Sequence, residues 1–337
     1  MATVSFMICS STMLIINKLA ITAYPAPSSL LFVQLFSSSV CIYVASTLGF
    51  IRLQVVSKSN LKSYVIVAMT FLAALFSNIK VLQYANVETF IVFRASTPLA
   101  ISFLDYVFLG RDLPTFKSSV ALLCLLLGSL SYVRSDSQFE VRAYSWVLCW
   151  FFVFCFDQIF IKYVVDAADV SPWTNSFWTN AAAVVPSLGL ALMQAEYKVA
   201  LNLSAIFFVS MSCLVGVAMS VSSFQLRALV SATYFTVIGT VCKILSVVIN
   251  YFMWDKHASV TGLASLGFCI ISALFYEQSP SRSKVNGRSC VQATSHVACL
   301  CFGAIFVVGI TMNLTLVGDW QNKVSMRVVA RRPHNSL

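Results

Sequence analysis

"SATYFTVIGTVCKILSVVINYFMWDKH" runs from Ser231 to His257, and near its middle Lys243 stands among apolar and small residues. A helix needs roughly 20 apolar residues to cross the hydrocarbon core of a bilayer. Comparable runs recur along nearly the whole chain, separated by short polar breaks. None alternates as the strands of a closed membrane barrel do, and helices and closed barrels are the two structures that satisfy their own backbone in lipid. The stretch therefore points to an all-α fold built of membrane-crossing helices.

Composition agrees. The 337 residues are 59% hydrophobic and 10% charged, with a mean hydropathy of +0.84, whereas a soluble domain carries about 25% charged residues. The spacing predicts about ten helices, near 3–23, 28–49, 63–81, 88–109, 118–134, 143–164, 173–194, 203–226, 230–253 and 258–276. The first run has no early positive charge and carries Asn17 and Lys18 late, so it reads as a membrane helix rather than a cleaved signal. Because it starts directly after Met1, there is room for a missing cytosolic extension ahead of it. The eleven cysteines are scattered through apolar runs without paired metal-ligand spacing, and neither a metal nor a cofactor is expected.

The net charge of +10 lies mainly in the breaks, which argues for helix orientation rather than nucleic-acid binding. With a cytosolic N-terminus, Arg52, Lys58, Lys62, Arg111, Lys117, Lys162, Arg227, Arg282, Lys284 and Arg288 fall on the cytosolic side. Lys80, Arg134, Arg142, Lys198 and Lys256 fall opposite. That excess puts both ends of a ten-helix core in the cytosol. After Tyr276 the texture changes: a polar, basic linker leads to a further apolar run and a basic tail. We expect a membrane-spanning unit over residues 1–280 and an appended segment, 281–337, of separate status.

Sliding the chain against itself by about 145 residues lays "DYVFLGRD" (Asp105–Asp112) over "NYFMWDKH" (Asn250–His257). Halves of five helices each, about 1–135 and 143–278, enter a membrane in opposite orientations. Such inverted repeats hold their substrate near the midplane, between the halves. Ionisable residues on matched central helices are then candidates for the site.

Lys243 is the first candidate, since a lysine at a helix centre costs about 2.5 to 3.5 kcal/mol on insertion scales. It either snorkels or pairs with an acid, for which Asp105 and Asp157 are available, or it faces a cavity that takes an anion. Arg94 and Lys18 are the second and third such charges. Guanidinium suits phosphate oxygens and ammonium offers a point charge, so the group favours a phosphate-bearing solute. Tyr234, Thr233 and Thr236 add hydroxyls and a ring, and Phe177, Trp178, Thr179 and Asn180 open another span, where the rings are either an interfacial aromatic belt or, with the amide, a surface suited to a flat base. Asp157 is either a proton carrier or a counter-ion to Lys162.

Taken together, "VETFIVFRASTPLAISFLDYVFLGRDLP", "VSATYFTVIGTVCKILSVVINYFMWDKHAS", "INKLAI", "AYSW" and "YEQS" make the chain resemble Golgi nucleotide-sugar transporters of the drug/metabolite transporter superfamily. It looks most like the plant-type GDP-mannose and GDP-fucose branch, over roughly residues 1 to 280. The resemblance implies a ten-helix antiporter of the Golgi membrane that imports a nucleotide sugar and returns the nucleoside monophosphate, with a homodimer among its possible states. It implies two recognition elements. Phe177, Trp178, Thr179 and Asn180 match an FYNN-like motif, while Gly239, Cys242 and Lys243 match a GxxNK-like one. Trp178, Thr179 and Cys242 replace a tyrosine and two asparagines of the family pattern, leaving a UDP-sugar or sugar-phosphate transporter, or a non-transporting relative, as alternatives. An enzyme is not expected: there is no P-loop and no HExxH, and the spans carry few acids.

Overall fold

The computed structural model describes residues 1–84, 87–134, 141–194, 196, 202–253 and 260–280, all of them within one compact unit, Met1–Gly287. The linker, apolar run and tail from residue 281 lie outside the described residues, and so does the Trp254–His257 end of the opening stretch. Among the described residues there are ten α-helices and no β-strand. The first half holds α1 (Ala2–Ala23), α2 (Pro27–Thr47), α3 (Lys58–Tyr84), α4 (Val87–Phe108) and α5 (Phe116–Arg134). The second holds α6 (Val141–Ala168), α7 (Pro172–Met193), α8 (Leu203–Leu229), α9 (Ala232–Met253) and α10 (Val260–Leu274).

Local chemistry marks several ends. Pro27 and Pro172 occupy the first helical positions of α2 and α7, where the missing N–H has no intrahelical partner to lose. The Ser171 hydroxyl accepts the Thr174 N–H and caps α7. Observed helices such as α3 and α6 outrun the apolar stretches that announce them, because a helix satisfies its own backbone hydrogen bonds and continues past the hydrocarbon boundary. Among the described residues, six helices, α1, α2, α7 and α8 in full and most of α3 and α6, are long and apolar enough to cross a membrane. The outer surface is studded with apolar side chains such as Phe36, Phe103, Leu127, Phe152, Phe207 and Leu214, an exposure that water penalises and lipid does not. The protein is a multi-pass membrane protein.

Helix boundaries recur 145 residues apart. Lys58–Tyr84 corresponds to Leu203–Leu229, Val87–Phe108 to Ala232–Met253, and the starts of α2 and α7 to each other. Packing repeats in the same way. Helix α1 lies on α8 as α6 lies on α3, α2 on α8 as α7 on α3, and α4 on α5 and α6 as α9 on α10 and α1. Helices α2, α4 and α5 each pack on their own counterpart.

The counterparts run antiparallel, as their end-to-end hydrogen bonds require. Glu196, just past α7, accepts the backbone N–H groups of Ser28 and Ser29 in the first turn of α2. Gln54, past α2, accepts the Ser171 N–H at the start of α7 and donates its own N–H to Thr174. Asp105, near the end of α4, accepts both the N–H and the hydroxyl of Thr233 in the first turn of α9. Beyond α10, Glu277 exchanges hydrogen bonds with Ser118 at the start of α5. A carboxylate at a helix N-terminus meets unpaired N–H groups and the positive end of the macrodipole, so Glu196 and Asp105 clamp α2 and α9.

Two of the cations counted on the cytosolic side are covered by neighbouring helices. Lys162 on α6 is 2% exposed and Arg227 on α8 is 7% exposed. Hydropathy placed them near helix ends, but the neighbouring helices extend far enough to cover them.

Candidate functional site

The bundle encloses a cavity of about 380 Å³, within the range of small-molecule sites. Eight helices, α1 to α4 and α6 to α9, face it, while α5 and α10 contribute no lining residue, and much of its wall is a paired set. Gln34 and Thr179, Leu35 and Asn180, Ala74 and Met219, and Asn78 and Ser223 all line it, each pair 145 positions apart. The charges break that pairing. Arg94 on α4, Arg227 on α8, Lys243 on α9 and Asp157 on α6 line the cavity without a charged counterpart.

Lys243 stands at the middle of α9, yet its side chain is exposed, because it reaches into the open cavity. The single ion pair among the described residues is Lys162 with Asp166, at 2.6 Å, so no described carboxylate neutralises Lys243. The Arg94 guanidinium lies 5.0 Å from the centre of the Phe154 ring and 6.0 Å from that of Trp150. These ring faces hold a cation without cancelling its charge. Asp157 does not serve Lys162: its carboxylate accepts the Thr70 hydroxyl at 2.8 Å and the Gln158 amide at 3.1 Å.

Unpaired polar atoms concentrate here. Seven buried side-chain nitrogen or oxygen atoms among the described residues lack a partner, and five of them belong to Asn78, Arg94, Thr179 and Arg227 of the cavity wall. Buried polar groups are paired in the great majority of cases, so this clustering makes the wall a candidate binding surface.

The structure divides the sequence-derived site. It brings together Lys243, Arg94, Thr179 and Asn180 at the cavity. Asn180 donates to the Ser220 hydroxyl at 2.9 Å, which holds its amide at the wall. Phe177 stacks on Tyr43 and Trp178 packs against the cluster around Tyr64 and Phe160. Cys242 is fully buried among Phe6, Leu226, Phe235 and Ile238. Tyr234 lies beside Tyr276, with ring centres 6.1 Å apart, and Lys18 is exposed on α1, away from the cavity. Gly239 is one turn before Lys243, and a Cβ added there would meet no neighbouring atom within 4 Å. Sequence reasoning missed Arg227 and Gln158 as wall residues. The signal available was the polar pair Asp157 and Gln158 inside a strongly apolar run.

Similarity to known proteins bears on the same chain. No protein-family model matches it. It is 34% identical over 292 residues to GDP-fucose transporter 1 of Arabidopsis thaliana, covering 83% of this chain and 86% of that one. The chain belongs to the nucleotide-sugar transporter family. Within it, this transporter sits in the plant GDP-sugar branch, being also 34% identical to the Arabidopsis GDP-mannose transporter GONST3 over 81% of its own length and 76% of the relative's. At 22% identity, it is similar to UDP-galactose/UDP-glucose transporter 7 of the same plant, over 78% of this chain and 84% of that one. These relatives are transporters, and the chain is a transporter rather than an enzyme. A solved crystal structure aligns with a TM-score of 0.60 and 15% identity over 82% of this chain and 95% of that one, a likeness of fold.

Proposed function

We propose that the protein imports a nucleotide sugar, a GDP-sugar by preference, into the Golgi lumen in exchange for the nucleoside monophosphate. The carrying observation is the cavity wall, where Lys243 and Arg94 present positive charge without a described carboxylate partner. Two phosphates supply the missing negative charge, Arg94 through its fork and Lys243 as a point charge. Thr179 and Asn180 offer hydrogen bonds to the base or sugar. The preference for guanine rests on the two relatives at 34% identity, whose names specify GDP-fucose and GDP-mannose.

Alternating access follows from ten membrane-crossing helices in two inverted five-helix repeats. In support, helix boundaries recur at 145 residues, counterparts run antiparallel, and wall residues pair at the same interval. Rocking one repeat against the other exposes the cavity to each side in turn. In this arrangement both ends of residues 1–280 face the cytosol, and residues 281–337 are a separate appendage.

Purified protein in liposomes preloaded with GMP or UMP, then offered labelled GDP- and UDP-sugars, tests the reading. Uptake of a GDP-sugar that depends on internal GMP is expected. Exchange confined to UMP would overturn the guanine preference, and uptake that needs no internal nucleotide would overturn antiport.

Gly239 supplies a second check. Alanine is better than glycine inside a helix by about 0.5 to 1 kcal/mol, and the space beside Gly239 is open. Gly239→Ala is expected to raise the melting temperature of the ligand-free protein, and a fall in exchange rate alongside would show that the substrate approaches this backbone, which does not itself line the cavity. Unimpaired exchange would show that the substrate does not approach that backbone.

A further inference from the structure

Arg227 is the cavity cation that the sequence pattern did not single out. It stands in the last turn of α8 and is nine-tenths buried, and three contacts fix it. Its Nη2 donates to Gln158 Oε1 at 3.0 Å. Its guanidinium carbon lies 3.7 Å from the centre of the Phe235 ring. Its own carbonyl accepts the Lys162 ammonium at 2.7 Å. Lys162 is neutralised by Asp166. The carboxylate of Asp157 is close enough to attract Arg227 electrostatically but makes no ion pair with it; the hydrogen-bonded link between them runs through Gln158, whose amide group donates to Asp157 while its carbonyl accepts from Arg227.

That leaves Nε and Nη1 buried without a partner, a costly state for charged donors. A side chain anchored on one nitrogen, stacked on an aromatic face and short of acceptors on its remaining donors is prepared for an anion. We propose that Arg227 is a third phosphate-binding residue of the transport cavity, with Gln158 as the positioning residue that holds its guanidinium at the wall. The inference rests on the nucleotide-sugar reading above and adds to it a contact that neither recognition motif contains.

The test compares GMP with guanosine, which differ only in phosphate, and with UMP, which differs in the base. Thermal stabilisation of the purified full-length protein is titrated with GMP, UMP and guanosine, for the parent and for Arg227→Gln, Arg227→Lys and Gln158→Leu. Hydrogen bonds to charged groups correspond to a change of roughly 10- to 100-fold in affinity. Arg227→Gln is therefore expected to weaken GMP by about that factor and to leave guanosine unchanged, with Arg227→Lys in between. Gln158→Leu keeps the charge but frees it, and is expected to weaken GMP by a smaller factor. Equal GMP affinity in Arg227→Gln and the parent would overturn the assignment, as would equal losses for GMP and guanosine, which indicate a structural role. If Arg227→Gln does not fold, the Lys and Leu variants decide by the same comparison: GMP affinity unchanged in both overturns it. A parent protein that no nucleotide stabilises would instead remove the nucleotide-sugar reading, and this assignment with it.

Discussion

Replacing Lys243 by alanine is expected to abolish nucleotide exchange while leaving a folded, membrane-inserted protein. The side chain contributes no hydrogen bond or ion pair to a described residue, and it projects into the cavity rather than into the packed bundle. Alanine at this mid-helix position also removes a charge that costs about 2.5 to 3.5 kcal/mol to insert and improves helix propensity. Losing an ammonium that meets phosphate removes up to about 3 kcal/mol of binding, or on the order of 100-fold in affinity. The measurement pairs GMP exchange in liposomes with thermal unfolding in detergent. Normal exchange in Lys243→Ala would place the phosphate elsewhere; a protein that no longer folds would make the lysine structural. Lys243→Arg is expected to keep part of the activity, since charge survives while shape changes.

Asp105→Ala is expected to have the largest effect on stability. The carboxylate is buried and accepts the Thr233 N–H at 2.9 Å and the Thr233 hydroxyl at 2.5 Å, fastening the end of α4 to the first turn of α9. Removing it leaves those donors unpaired at a helix N-terminus, a loss of about 3 kcal/mol. A clear drop in melting temperature should follow. Exchange should fall as well, because α4 and α9 carry Arg94 and Lys243. Asp105→Asn retains an acceptor and should lose less, and Thr233→Val should lose only the hydroxyl contact. Unfolding of Asp105→Ala at the parent's temperature would show that the clamp holds nothing.

The hydrophobic runs announced the helices because their periodless apolarity has few solutions in lipid, and the 145-residue slide found the spacing at which helix boundaries recur. The site was only partly legible. Lys243 and Arg94 stood out because charge in a central span is costly, and the structure puts both at the cavity. Arg227 did not, because an arginine near a helix end looks the same whether it anchors a loop or is covered by neighbours. The two recognition elements were quoted as continuous strings, but a helix turns by about 100° per residue. Thr179 and Asn180 therefore meet the cavity while Phe177 and Trp178 pack elsewhere, and Lys243 faces it while Cys242 is sealed in a core cluster. The replacement of an asparagine by Cys242, which seemed to bear on base recognition, lies away from the cavity wall in this conformation.

Sequence by itself determined that this chain is a helical membrane protein with internal repetition and costly charges in its central spans, since bilayer thickness and the price of desolvation act on each segment separately. Tertiary structure alone decided which charges share a cavity, which are neutralised and which are left waiting. Pairing of Asp157 with Thr70 and of Arg227 with Gln158 depends on how separate helices pack, and no local pattern encodes that, whereas the pairing of Lys162 with Asp166 four residues on is local to α6.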